Sequence, residues 1–285
     1  MNNTGKTGTA PMNIAIIGCG YIGSAVANIW TKRGNHVTAT TRTSEKLEDL
    51  AKVAQKNVMI RGNDEDEFIP LIANNEAILI TIAADSPEHY ESAYLNTAQI
   101  FRRLALEMNT PRILIYTSST SIYGDHHGLW VDETSALRPS NSSAKILTDA
   151  EKTYLSLDEV GWSVCVLRYA EIYGPGRELS KRVKQLEGHV LPGSGDHYTN
   201  MVHRNDCAAS IDYVLQHKLE GVYNVADDEH PSRRELYDLI AKKHRLPLVK
   251  WDPNLTGLHS GNKRISNHKI KAEGFTLTHP TRILD

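Results

Sequence analysis

Three glycines near the start of the chain have the spacing that dinucleotide chemistry requires. Gly18, Gly20 and Gly23 follow the apolar, β-branched run Ile14-Ala15-Ile16-Ile17, and the helix-forming stretch Ser24–Trp30 follows them. Strand, glycine turn and helix in that order are the context a Gly-x-Gly-x-x-Gly fingerprint needs. Gly18 permits a tight turn, Gly20 lets a pyrophosphate approach the main chain, and Gly23 allows helix and strand to pack closely. Amides at the helix start, with Tyr21 and Ile22 between the glycines, would face phosphate where the helix dipole favours negative charge. About 20 residues further on, an NAD site of this kind usually has Asp or Glu to hold the ribose hydroxyls. Here the second strand ends Thr40-Thr41-Arg42-Thr43-Ser44, with no acid before Glu45. Arg42 can pair with a 2′-phosphate and the nearby hydroxyls can add hydrogen bonds. The sequence therefore predicts NADP as cofactor, with NAD as the alternative.

Other clusters carry less chemistry. Asp125-His126-His127, with Asp132 and Glu133, has no metal-ligand spacing and reads as a polar loop, so no metal site is predicted. Cys19, Cys165 and Cys207 are scattered and odd in number, which argues against a disulfide framework or zinc. A helix N-terminus can lower a thiol pKa, but Cys19 reads as a small packed side chain. Gly5-Lys6-Thr7 lacks the upstream glycine and strand of a P-loop.

To position the glycine turn, the chain needs a sheet. Apolar runs at 35–41, 57–60, 77–83, 112–118 and 163–169 read as strands two to six, with helices predicted over 87–109 and 143–160. Strands separated by helices argue for a doubly wound parallel α/β sheet of Rossmann type. Ligands in such sheets sit beyond the carboxyl ends of the strands, so Ile82, Ala83, Ser118 and Tyr169 join the candidates for cofactor contact. Residues 12–170 form the dinucleotide-binding domain, with return segments near 202–227. A late strand is expected at 222–226, and Ser232 with Glu235 forms a capping box for a helix over 233–245. The stretches 171–201 and 228–285 remain for a small C-terminal substrate lobe.

At 285 residues, with 40% hydrophobic and 23% charged residues, the composition is that of an ordinary globular chain. A net charge of -2 provides no field for nucleic acid or an anionic membrane. No apolar run approaches the ~20 residues of a membrane span. Residues 1–11 are polar, lack a signal-peptide core and read as a disordered tail. A cytoplasmic location is expected.

The chain resembles the extended and atypical short-chain dehydrogenase/reductase superfamily, which holds nucleotide-sugar epimerases and dehydratases, and within it the small YeeZ-like atypical group. The most specific match is Thr117-Ser118-Ser119-Thr120-Ser121-Ile122-Tyr123-Gly124, similar to the family's Ser-Ser-x-x-x-Tyr-Gly. Leu167-Arg168-Tyr169, Tyr173-Gly174-Pro175-Gly176-Arg177, Val202-His203-Arg204-Asn205-Asp206 and Tyr223-Asn224-Val225 extend it. The resemblance implies a Tyr-x-x-x-Lys pair on the helix after strand five, with a serine polarising the substrate oxygen. Carried over, the serine is Ser119, the lysine Lys145, which would hold the nicotinamide ribose, and the tyrosine position is Asn141.

An asparagine amide does not exchange protons near neutral pH, and no tyrosine lies in 137–145. Three readings stand. Tyr123 takes over the proton chemistry; or Asn141 orients substrate or water while Ser119 or the substrate carries the proton; or the protein binds dinucleotide without turnover, as a sensor. The first two describe an oxidoreductase or epimerase acting on a small hydroxyl- or carbonyl-bearing metabolite, sugar-nucleotide-like. By resemblance, Glu171 lines the nicotinamide pocket, His203 is structural, and the helices near 87–109 and 143–160 form a homodimer interface. Arg177, Lys181 and Arg182 meet a substrate phosphate or only solubilise a loop.

Overall fold

The computed structural model describes residues 10–60, 64–255, 257 and 261–285. Most of the tail expected over 1–11 lies outside them. Among the described residues the strands run β1 (Asn13–Ile17), β2 (His36–Thr41), β3 (Lys56–Met59), β4 (Ala77–Ile80), β5 (Ile113–Ser119), β6 (Trp130–Val131) and β7 (Ser163–Tyr169). They continue as β8 (Glu171–Tyr173), β9 (Val190–Pro192), β10 (Met201–His203), β11 (Gly221–Val225), β12 (Lys250–Asp252) and β13 (Arg264–Ile265). The helices are α1 (Gly23–Lys32), α2 (Leu47–Leu50), α3 (Glu65–Ala73), α4 (Thr97–Met108) and α5 (Ser142–Leu155). Beyond these lie α6 (Leu179–Gln185), α7 (Arg204–His217), α8 (Arg233–His244) and α9 (His268–Ala272).

Seven strands form one sheet in the order β11-β7-β5-β4-β1-β2-β3, and every pairing in it is parallel. This is a Rossmann-like α/β architecture. Because strand side chains alternate faces, β1 feeds two cores. Ile14 and Ile16 pack with Val26 and Trp30 of α1 and with Ile211 of α7. Ala15 and Ile17 face the opposite way, toward Phe68 of α3, Phe101 of α4 and Tyr154 of α5. Both faces of β1 are buried, which is why its sequence is continuously apolar rather than alternating.

The chain leaves β1 toward β2 and β3, then returns to place β4 on the other side of β1. That reversal opens a crevice at the carboxyl ends of β1 and β4. A third core lies outside the sheet, where Leu179 and Val183 of α6 meet Leu236 and Ile240 of α8. Ser232 accepts from the Glu235 amide and Glu235 reaches back to the Ser232 amide, the reciprocal cap of α8.

Two expected elements differ. The stretch 87–109 is not one α-helix. It opens with a 3-10 turn at Pro87–His89, passes through a π-helical turn at Glu91–Asn96 and becomes regular only in α4. The C-terminal stretch also divides, for α9 packs on β11 while Phe275 and Leu277 join the core on the α1 face. No helix among the described residues is long and apolar enough to cross a membrane.

Candidate functional site

The crevice at the switch point is a cleft of about 760 Å³. Its floor is the glycine turn. Thr40 pins that turn to β2, its hydroxyl accepting from the Gly18 amide at 3.0 Å and its carbonyl from the Cys19 amide at 2.8 Å. The glycines have separable roles. Gly18 has φ +80°, and a Cβ there would stand 2.9 Å from Ile82 Cα. At Gly20 the nearest heavy atom to an added Cβ is 3.9 Å away, so the backbone is open to a ligand. Gly23 packs so tightly that a Cβ would lie 3.0 Å from Thr81 Cγ2 and 3.2 Å from Ile16 Cγ2.

Helix α1 starts without a side-chain cap or an acidic residue in its first turn. The amides of Tyr21 and Ile22 have no acceptor among the described residues. Uncapped donors at a helix N-terminus are an anion site, and a Cβ at Gly20 would be the first thing to obstruct it. The floor therefore fits a dinucleotide's pyrophosphate. Gly18→Ala is expected to destabilise the fold by about 1–3 kcal/mol, because positive φ and a backbone clash coincide. Gly34→Ala, with φ +87° and nothing within 4 Å, is expected to cost only the 1–2 kcal/mol or so of the left-handed conformation. Urea midpoints of the two variants check this; equal losses would show that the Ile82 contact does not matter.

Of the residues expected at a cofactor, Gly18, Gly20, Tyr21, Ile22, Arg42, Ile82, Ala83, Ser118 and Tyr169 line the cleft, as does Ser119, expected to polarise the substrate. Gly23 lies behind the wall, in the α1 packing. Cys19 lines it as well, but burial pushes its thiol up to about 12, so it is a packed thiol rather than a thiolate. The Tyr169 hydroxyl turns away from the cleft to the Cys207 carbonyl, 3.0 Å. At the β2 end, Arg42 reaches across to the Ala83 carbonyl at 3.3 Å and the Asp85 carboxylate at 3.6 Å. Lys46 lines the same end, which sequence reasoning missed.

The π-helical turn supplies further lining through Tyr90, Ser92, Ala93 and Tyr94, with Thr97 following. Nothing in the helical periodicity of 87–109 signals such a turn, although turns of this kind recur at functional sites.

Three expected site residues lie elsewhere. Asn141 is not a helical residue but the N-cap of α5, its side chain accepting from the Ala144 amide at 2.8 Å. Lys145 is exposed and outside the cleft lining. The α5 residue that lines the cleft is Leu147, and one turn before it on the same face stands Ser143. Counted back from Leu147 at the cleft, the Tyr-x-x-x-Lys spacing falls on Ser143 and Leu147, and neither residue can run the proton chemistry of a phenol and an ammonium.

Tyr123 is wholly buried and also outside the cleft. Its hydroxyl donates to Asn224 Oδ1 at 2.8 Å and accepts from Arg168 at 2.7 Å. Burial pushes its phenol up, against the opposing Arg168 charge. It is a structural phenol. Arg168 in turn forks onto Glu151, which also accepts from the Ser118 hydroxyl at 2.9 Å. A buried polar chain therefore runs from the cleft wall to β11.

Ser119 remains at the cleft. Its Oγ accepts from the Ser121 amide at 3.2 Å, as N-cap of a 3-10 turn. With a lone pair used there, its proton is left to donate. Beside it opens a second cavity of about 550 Å³, sharing Ser118, Ser119, Tyr169, Ile172 and Arg177 with the first. Glu171, Lys181 and Arg182 line this cavity rather than the cofactor cleft.

The histidine loop is held by hydrogen bonds, with His126 Nε2 3.1 Å from the Ala136 carbonyl and Asp125 accepting from the His127 and Asn262 amides. His203 caps α7 through its Nδ1. It adjoins Asp206 and His279, whose ligand atoms lie within 4.8 Å of one another. The Asp206 carboxylate already accepts from the Thr278 and His279 amides, which ties down the C-terminal segment.

Comparison with known proteins gives a consistent result. The sequence profile of the NAD-dependent epimerase/dehydratase family matches residues 14–226. Protein YeeZ of Escherichia coli K12 is 31% identical over 234 residues, covering 80% of this chain and 82% of its own. A solved, functionally unknown conserved protein from Silicibacter pomeroyi superposes with TM-score 0.78 at 26% identity, covering 95% of each chain. UDP-glucose 4-epimerase from Bifidobacterium longum, in complex with NAD+ and UDP, superposes with TM-score 0.75 over 96% of this chain and 95% of its own. At 17% identity that last likeness concerns the fold alone.

Proposed function

The chain belongs to the NAD-dependent epimerase/dehydratase family, and we propose that it binds NADP(H) in the cleft and acts as an atypical oxidoreductase on a small hydroxyl- or carbonyl-bearing metabolite. The observation that carries the cofactor reading is the end of β2. Arg42, Thr43 and Lys46 line it with no carboxylate among the lining residues, which suits a 2′-phosphate; Asp85, 3.6 Å from Arg42, would give up that guanidinium to the phosphate. The uncapped amides of Tyr21 and Ile22 receive the pyrophosphate. When bound, the nicotinamide supplies hydride chemistry. Ser119 donates a hydrogen bond to the substrate oxygen and polarises it. In the adjoining cavity Lys181 and Arg182 are paired with Glu178 and Glu171, so Arg177 is the lining cation left for an anionic, sugar-nucleotide-like portion of the substrate.

The test is a calorimetric titration of NADPH and NADH on wild type and Arg42→Ala. A charge-assisted hydrogen bond of about 1.5–3 kcal/mol corresponds to a loss of NADPH affinity of about 10- to 100-fold, with NADH unchanged. Equal affinity of the wild type for both cofactors, or an unaffected NADPH affinity in the variant, would reject the 2′-phosphate reading.

A second reading is a non-catalytic dinucleotide-binding sensor. Ser143 and Leu147, standing where the acid/base pair would face the cleft, favour it. Cofactor-dependent capture of a partner would support the sensor. Steady NADPH oxidation with a panel of carbonyl compounds would support the enzyme.

A further inference from the structure

We infer that Tyr21 is a positioning residue that couples the glycine turn to the loop 174–178 of the C-terminal lobe, so that a ligand held on the turn also fixes Arg177 at the neighbouring cavity. The inference rests on the reading that the cleft holds a dinucleotide.

Tyr21 is attached in three directions at once. Its amide has no acceptor among the described residues, and the residue lines the cleft. Its carbonyl accepts from Arg204 Nε at 2.7 Å, and that guanidinium also reaches Ser24 Oγ at 3.2 Å. Its hydroxyl donates to the Pro175 carbonyl at 2.9 Å, across 154 residues of sequence. The guanidinium carbons of Arg177 and Arg204 lie 4.3 and 4.6 Å from its ring centroid, within the range of cation–π attraction.

The loop itself is closed on its own atoms. Arg177 and Gly174 exchange backbone hydrogen bonds of 2.7 and 3.3 Å, and the Gly176 amide donates to Glu178 at 3.0 Å. Among the described residues, the hydrogen bond that ties 174–177 to the dinucleotide-binding half is the one from Tyr21.

Arg177 is the cation this tether controls. Of the three cations lining the second cavity, Lys181 is paired with Glu178 and Arg182 with Glu171. Arg177 has no carboxylate partner among the described residues and lines both cavities. Its charge is held by an aromatic face rather than neutralised, and that face belongs to the cofactor turn. Immobilising the turn therefore immobilises the cation that, among the described residues, lines both cavities without a carboxylate partner. By linkage, a second ligand that engages Arg177 must in turn tighten the cofactor.

Hydrogen exchange of the full chain with and without saturating NADPH tests this. In wild type, exchange of the peptide spanning 174–182 is expected to slow by about fivefold or more on NADPH addition. Tyr21→Phe keeps the ring and its cations but loses the Pro175 tether, and is expected to give an intermediate slowing. In Tyr21→Leu, at an NADPH concentration that calorimetry shows to saturate the variant, the slowing is expected to fall below about twofold. Unchanged slowing in both variants, or none in a wild type shown by calorimetry to bind NADPH, would overturn the coupling. If NADPH fails to bind wild type, the cofactor reading falls. The ligand-free comparison then decides the tether alone: faster exchange at 174–182 in Tyr21→Phe supports it, and identical rates overturn it.

Discussion

Arg168→Met is expected to destabilise the protein by about 3–5 kcal/mol, the usual cost of removing one partner from a buried ion pair. The guanidinium and the Glu151 carboxylate are 5% and 3% exposed at their side chains, so neither group has water to fall back on. Losing Arg168 leaves Glu151 with the Ser118 hydroxyl as its remaining side-chain partner, and takes from Tyr123 the donor that its oxygen now accepts. For a chain of this length the loss corresponds to a fall in melting temperature of about 5–8 °C. Thermal and urea denaturation measure it. A loss below about 1 kcal/mol would mean that water replaces the guanidinium. Glu151→Met together with Arg168→Met is expected to recover part of the loss, because the uncompensated charge goes with its partner. Ser118 would still lose the acceptor that orients it at the cleft wall, so cofactor affinity should recover less than stability.

This pair also marks where sequence reading stopped. Leu167-Arg168-Tyr169 was recognisable as a motif, but nothing in its spacing says that Arg168 turns inward to Glu151 rather than out to a ligand. The sheet was legible because each central strand is apolar on both faces, a pattern local sequence carries. The glycine turn was legible because its three residues answer to three local backbone needs. Arg42 was legible as the residue that leaves β2 at the cleft, whereas Lys46 closes a 3-10 turn whose direction the sequence does not specify. The Tyr21–Pro175 and Arg204–Tyr21 contacts join segments more than 150 residues apart, beyond any local pattern.

Helix α5 was the costly misreading, and its cause is physical. Ser140-Asn141-Ser142-Ser143 offers four consecutive residues able to cap a helix. Family spacing selected Asn141 and Lys145 as a pair on one face. The structure makes Asn141 the cap, and the face that meets the cleft is set two residues further along, at Leu147. Two residues turn a helix by about 200°, enough to carry Lys145 from the cleft to solvent. A leucine there reads from sequence as an apolar packing position, and the structure sets it on the wall of the cleft.

Installing the missing pair should separate the two functional readings. Ser143→Tyr with Leu147→Lys places a phenol and an ammonium one helical turn apart on the side of α5 that carries Leu147 to the cleft, whose wall Ser119 also lines. If the wild type is an oxidoreductase, Ser119 and its substrate now carry the proton without a tuned acid, and a positioned one contributes typically 10²–10⁴-fold. The double variant is then expected to reduce the wild type's own carbonyl substrate about 100-fold faster or more, with Ser119→Ala lowering both rates. Leu147→Lys alone is expected to change cofactor affinity more than rate, because an ammonium without its phenol supplies charge but no proton in the right place. Leu147 is 7% exposed, so the introduced ammonium is partly desolvated, and its pKa falls unless a ligand or phenol shares its charge. A double variant that binds NADPH as the wild type does, yet shows no turnover with any carbonyl compound, would mean that the second cavity presents no reducible group to the nicotinamide. The sensor reading would then hold, since the chemistry would be absent from the site rather than merely unassisted.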